Sequence, residues 1–422
     1  QVDVQIIFRE NDSIINYDKY ELKSPKIKDT TKFINNMLNV ERYALPNGNY
    51  QIELTINDKN SDEEPLTSTD EFVVDYTKDK ISFSDIELVH SYQKSDEGGL
   101  LEKNGYEIVP YAISYYPEVA KNLTFYSELY NVDSLVGGNQ FLLYYYIRPV
   151  ELDKKFDQYF FAKKQNGKRI NILLNSINIS DLPSGRYLLV LEARDRNNQV
   201  IASRQKYFYR FNPGAEYNYT SMLALNTNNS FASQITSKDT LLQYIDYLYP
   251  ISTEPEKNFA KSLFKEADLQ TLQKYFLNFW LQRNNTQPAK AWQAYKLLVD
   301  QVNHDYNALR IKGYKTDRGR VYLQYGPPNV VSKSYNEPAG YPYEIWQYYT
   351  LGNQRDKRFV FYTKDLSTND FLLIHSTAVG ELHNNQWQKY IYSRTWNPLD
   401  IDDVIIPSTY GSFATDYYLQ PR

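Results

Sequence analysis

Among residue types able to do chemistry, the sequence offers four histidines, His90, His304, His375 and His383, and no cysteine. The histidines lack the His-Glu-x-x-His spacing that would set two imidazoles on one helix face around a metal. The absence of cysteine removes thiol catalysis, disulfides and thiolate metal sites, and leaves the redox compartment open. No Gly-x-Ser-x-Gly elbow, phosphate loop or Gly-x-Gly-x-x-Gly turn occurs, so hydrolase, NTPase and dinucleotide readings lack their expected geometry. Two acidic residues could converge as glycosidase carboxylates, but no spacing nominates a pair. The acidic stretch Asp58 to Glu64 lacks the spaced ligands of a calcium loop and reads as a solvated hairpin tip. The expectation is a non-enzyme without metal or cofactor.

The densest polar constellation is Gly313-Tyr314-Lys315-Thr316-Asp317-Arg318-Gly319-Arg320. Gly313 reads as a helix terminator, Thr316 and Asp317 as caps of the following turn, and Gly319 as a tight entry into a strand carrying Val321 and Leu323 on one face. Arg318 and Arg320, two apart on such a strand, would project to the same side. There they would pair with Asp317 or Glu344, or meet an anionic ligand.

The elements that position these residues come in two textures. Residues 1–213 read as strands: Tyr50 to Ile56 alternates cleanly, and Leu123 to Leu129, Phe141 to Ile147 and Ile170 to Leu174 are further strand runs. Leu45-Pro46-Asn47-Gly48-Asn49-Tyr50 is repeated as Leu182-Pro183-Ser184-Gly185-Arg186-Tyr187, each opening a strand. Two tandem immunoglobulin-like β-sandwiches, 1–78 and 79–213, follow. After a connector at 214–236, helical spacing takes over. Ser237 opens a helix carrying Leu241 and Ile245, another starts at Pro255-Glu256 and continues past Asp268, and a third begins at Pro288. Strands return at 320–325, 343–349, 358–362 and 371–376. The predicted fold is multidomain and mainly β, with an α+β part at 237–422 made of helices (237–312) and a small antiparallel sheet (318–400).

The composition fits this: 422 residues, too many for one ordinary core, with 42% hydrophobic and 23% charged residues. The 41 tyrosines favour strands and interaction surfaces that touch partners or glycans. The run Tyr144-Tyr145-Tyr146 could stack on sugars or simply alternate about a sheet. A net charge of −4 argues against nucleic acid. The start at Gln1, without Met, predicts a removed targeting segment or a trimmed sequence, and no apolar run reaches the roughly 18–20 residues of a membrane span.

The run from Gly313 through Pro328, with Trp280 upstream and Glu344-Ile345-Trp346 downstream, resembles the signature of the GWxTD domain of Bacteroidota, with Tyr314 where that name has Trp. The resemblance covers roughly residues 237 to 395. It singles out Gly313, Tyr314, Thr316, Asp317, Arg318, Gly319, Arg320 and Trp346 as motif or recognition residues. It implies a cell-envelope protein, periplasmic or at the outer membrane, whose partners are other envelope proteins such as an outer-membrane β-barrel complex. Membrane attachment would come only from a lipid anchor outside this sequence. The resemblance brings no established enzymatic activity. Four triplets around Ser13, Thr30, Ser134 and Thr240 resemble the O-glycosylation acceptor of the same bacteria. The expected role is a non-catalytic scaffold in secretion, barrel assembly or surface-protein machinery. The alternatives are a glycan-binding protein or, third, a carboxylate-dependent hydrolase.

Overall fold

In a computed structural model, every residue is described except 12, 24–37, 62–63, 97, 136–139, 153–154, 216–219, 224, 353, 394–412 and 421–422. The side chains of 134–135, 220–221 and 262–266 are likewise outside the description. Thr30, Asp62, Glu63 and the side chain of Ser134 fall on these positions.

The first β unit is, among the described residues, one antiparallel sheet. Strands β1 (Val2–Glu10), β2 (Ser13–Leu22), β3 (Gly48–Asp58) and β4 (Leu66–Val74) lie in the order β2-β1-β3-β4. The period of two puts Val4, Ile6 and Phe8 on one face, where Tyr43, Leu45 and Phe72 pack against them.

The second unit is a true sandwich. One sheet orders β13 (Ile170–Asn178), β10 (Asn122–Tyr130), β6 (Glu87–Lys94), β8 (Tyr106–Pro110) and β7 (Glu102–Lys103), with β5 (Ser82–Phe83) pairing beside β10. The other orders β12 (Phe160–Asn166), β11 (Gln140–Pro149), β14 (Gly185–Arg194), β15 (Val200–Arg210) and β9 (Tyr115–Tyr116). A turn of helix, α1 (Val132–Leu135), links β10 to β11. Phe125 and Leu123 meet Phe141, Tyr145 and Leu189 between the sheets in one closed core.

The repeated Leu-Pro-x-Gly-x-Tyr unit has a physical meaning in both modules. The Tyr50 hydroxyl donates to the Pro46 carbonyl at 2.9 Å and Tyr187 to Pro183 at 3.0 Å. The ring folds back over the glycine: a Cβ on Gly48 or Gly185 would lie 3.0 or 3.1 Å from its own tyrosine. This is a tyrosine corner, a local device that sets the angle at which a strand enters its sheet.

A short helix, α2 (Thr220–Leu223), precedes the helical layer of α3 (Lys238–Tyr247), α4 (Glu254–Glu266), α5 (Leu269–Arg283) and α6 (Pro288–Asp305). Their starts follow local chemistry. Ser237 accepts from the Thr240 amide, Asp268 accepts from the Thr271 amide, and Pro288 occupies a first-turn position. The inward stripe of Phe276, Trp280, Trp292 and Tyr295 interlocks in tilted and edge-on ring contacts.

The segment expected as the first C-terminal strand is instead a helix, α7 (Asp317–Tyr325). Val321-Tyr322-Leu323 satisfies either period, but Thr316 caps the helix by accepting from the Gly319 amide, and burial on nearly every side admits apolar residues all round. The sheet therefore begins at β16 (Val330–Ser334) and continues through β17 (Tyr343–Leu351), β18 (Gln354–Tyr362) and β19 (Leu372–Ser376) in that order. Trp346, Phe359 and Phe361 face the helical layer. Tyr343, Ile345 and Val360 face α8 (Trp387–Tyr392) and α9 (Ala414–Leu419) on the other side.

Candidate functional site

The motif lies where α6, α7 and the sheet meet. Helix α6 ends at Asp305, so Gly313 is not its terminator; the glycine lies against it. A Cβ there would sit 2.1 Å from the Val302 carbonyl oxygen. Gly319 does not admit a strand. Its missing Cβ makes room for the Gly313 carbonyl oxygen, which would lie 1.9 Å away. Both glycines are thus required by backbone crossing over backbone. Thr316 ties the crossing together, donating to the Gly313 carbonyl at 2.8 Å while its oxygen takes the Gly319 amide at 3.1 Å.

Tyr314 is buried, edge-on to Tyr247 with ring centroids 4.8 Å apart, and its hydroxyl donates to Asp246. Burial, and then that carboxylate, push its pKa upward. Lys315 joins the same Asp246 at 2.7 Å. Asp317 pairs with neither arginine; it accepts the Leu373 amide at 2.8 Å and so pins β19 to the start of α7.

Two positions apart on a helix is about 200° around the axis. Arg318 and Arg320 therefore diverge rather than share a side. Arg318, 3% exposed, enters the domain interior and pairs with Glu344, 1% exposed, at 2.8 Å. Its second nitrogen donates to the Asn369 carbonyl at 2.9 Å, and its guanidinium lies 4.1 Å from the Phe371 ring centre. Tyr335 and the Trp346 indole N–H, the latter at 2.9 Å, also donate to Glu344. The carboxylate thereby takes three donors.

Arg320 leaves the other way. It grips Glu381 with two bonds of 2.9 and 2.8 Å, and the Tyr325 hydroxyl adds a third at 2.7 Å. On the far side of Glu381 stands Arg186 of β14, 3.6 Å away, which donates to the Gly380 carbonyl at 3.1 Å and to Glu151 at 2.8 Å. A Glu151–Arg186–Glu381–Arg320 chain thus fastens the sandwich to the motif helix. Burial pushes the Glu381 carboxyl up, but Arg320, Tyr325 and Arg186 together bring it below its ordinary value. Glu151 goes the other way, because burial outweighs its one arginine. Gly380, at φ +86°, brings its backbone against Tyr207 of β15.

Of the histidines, His375 and His383 come together with ring centres 5.1 Å apart. His375 shares a 2.9 Å bond with Tyr418, and burial followed by the charge of His383 lowers its pKa to about 4. Among the described residues no three of His, Asp and Glu converge as a metal site. Ser13 is exposed on β2, whereas Thr240 is partly buried in the first turn of α3. The Tyr144–Tyr146 run alternates about its strand, with Tyr145 in the core and its neighbours half-buried on the outer face.

Residues 207–393 match the family described as the GWxTD domain. The chain carries a GWxTD domain. The match starts within β15 and ends just after α8, so it takes in the motif, the helical layer and the sheet. No curated protein matches the chain. Glu151, Arg186 and Glu381, which clamp the GWxTD domain to the sandwich, carry no signal in the sequence beyond the placement of Arg186 in the repeated corner. No helix among the described residues is long and apolar enough to cross a membrane.

Proposed function

We propose that this chain is a non-catalytic scaffold of a bacterial cell envelope, in which the GWxTD domain and its sandwich act as one rigid piece that holds partner proteins. The observation that carries this reading is the fate of the motif's charged groups. Arg318 and Arg320 are both committed to buried carboxylates. A catalytic group must be free to exchange partners with substrate, whereas these hold the fold together. The envelope setting, in Bacteroidota and beside an outer-membrane barrel or secretion assembly, rests on the motif resemblance. The test is fractionation of native cells followed by crosslinking and purification of the intact chain. Co-purification with defined envelope proteins is the expected result; a soluble cytoplasmic chain without stable partners would overturn the reading.

A second reading, glycan binding, is favoured by one observation. Tyr144 and Tyr146 share the outer face of the sandwich with Phe160, and Lys155 lies 3.5 Å from the Phe160 ring centre. Rings so placed suit stacking on a sugar face. A glycan array that binds the chain but not its Tyr144→Ala/Tyr146→Ala variant would establish it, and a blank array would dismiss it.

A further inference from the structure

The strand register lays out a small grid on the outer face of the sandwich. Across β12, β11 and β14 it reads Lys164, Leu142, Arg194, then Ala162, Tyr144, Glu192, then Phe160, Tyr146, Val190. Leu188 and Val190 on this face are buried, where the loop of Gly380 lies on Tyr207, the register partner of Leu188. Toward β12 the face stays open: Ala162 and Lys164 are exposed, and the rings of Tyr144, Tyr146 and Phe160 are half-buried. The open strip runs along β11 from Leu142 to Tyr146, roughly 14 Å, about the length of two to three hexose units.

The charges on the strip do not balance. Glu192, the carboxylate of the grid, is already taken: the Tyr146 hydroxyl donates to it at 2.9 Å, and Arg194 through two bonds of 2.8 and 2.6 Å. The Lys155 ammonium lies 3.5 Å from the Phe160 ring centre, 5.8 Å from that of Tyr144 and 6.0 Å from that of Tyr146. Among the described residues neither Lys155 nor Lys164 has a carboxylate partner. Two ammonium groups thus stand uncompensated on a chain whose net charge is −4, one of them on the rings themselves.

We infer that this strip binds an acidic glycan, with sugar rings on Tyr144 and Tyr146, a sugar carboxylate on Lys155 and a second one on Lys164 at the far end. The inference rests on the glycan reading above and names its ligand class. A neutral sugar would share the rings with an ammonium that still lacks an anion. A uronic acid supplies that anion and forms a charge-assisted bond with it. Its carboxylate sits at the rim of the sugar ring, so stacking on a tyrosine and pairing with a neighbouring lysine are met by one unit. An anion without a sugar ring would leave the tyrosines unused.

The test titrates the full chain by calorimetry with trigalacturonic acid, with maltotriose as the neutral sugar and triglutamate as the anion without a sugar ring. Trigalacturonate should bind saturably and about tenfold or more tighter than either control. Lys155→Gln should weaken trigalacturonate about tenfold, the loss of one charge-assisted bond, and leave maltotriose no weaker. Lys155 is exposed, so the substitution leaves the core untouched, and Lys164→Gln reads the other end of the strip with a few-fold loss. Equal binding of maltotriose would overturn the acidic assignment and keep the glycan reading, whereas no binding of either sugar up to millimolar concentration would overturn both. Triglutamate binding as tightly as trigalacturonate, or a trigalacturonate affinity that Lys155→Gln leaves unchanged, would also overturn the inference.

Discussion

Arg318 and Arg320 leave the same helix two residues apart and enter different worlds. The Arg318 side is the interior of the GWxTD domain, where one carboxylate takes a guanidinium, a phenol and an indole. The Arg320 side is a seam, where Glu381 is shared between two arginines from two modules. Inside, a single arginine serves the buried carboxylate, so losing it leaves that charge without a cation. At the seam the carboxylate keeps a partner when either arginine is lost. The same residue type thus serves integrity on one face and attachment on the other.

The comparison breaks most visibly at the crossing that supports both faces. Gly319→Ala must push a methyl into the Gly313 carbonyl, with no flexible side chain to give way. A loss of roughly 4 kcal/mol or more is expected, seen as collapse of the denaturant midpoint; an unfolding free energy within about 1 kcal/mol of the parent would contradict the geometry.

Removing the arginines separately tests the asymmetry. Arg318→Met leaves Glu344 buried without its cation and should cost about 3–5 kcal/mol. Arg320→Met leaves Glu381 with Arg186 and Tyr325 and should cost roughly 1–2 kcal/mol. Equal losses would erase the difference between interior and seam.

Acid should divide the two regions by pH. His375, buried against α8 and α9, has its pKa lowered to about 4 from 6.5, so the unfolded chain takes up the proton first as pH falls. Its contribution is complete above pH 6.5 and drains away between 6.5 and about 4, reaching about 3 kcal/mol in all. Glu381 is a carboxyl lowered below 4.5, so its contribution is present above 4.5 and is lost only as pH falls through its lower folded value. The side of the sheet covered by α8 and α9, where His375 bonds Tyr418, therefore loosens before the seam. Urea unfolding at pH 7, 5.5 and 4.5 should show a slope that His375→Gln flattens; an identical slope in that variant rules His375 out.

The smallest effect belongs to the motif's aromatic position. Tyr314→Phe keeps the ring and leaves Asp246 with Lys315, for a cost of about 1 kcal/mol by thermal unfolding. A cost above 3 kcal/mol would mean that the hydroxyl, rather than the ring, is what the position requires.

Much of the architecture was legible because it is local. Ser237, Asp268 and Pro288 mark helix starts by capping chemistry that acts within three residues. The tyrosine corner likewise closes over four residues and shows as a repeated Leu-Pro-x-Gly-x-Tyr unit. Helix α7 departs from the expected strand because Val321-Tyr322-Leu323 fits alternation as well as helical spacing, and only the Thr316 cap favours a helix. That reading also put Arg318 and Arg320 on one side, an error of period rather than of chemistry. Glu344 as a partner was legible. Glu381 and Glu151 were not, because nothing in a sequence says which distant loop will face an outward arginine.

The two motif glycines have one more consequence. Their part is played by what they lack, since each marks a place where one stretch of main chain lies directly on another. A motif built this way has two alphabets. At Tyr314 a letter can change, provided a ring remains, because side chains are content that neighbours can accommodate. At Gly313 and Gly319 the letter stands for a distance, and no substitution spells a shorter one.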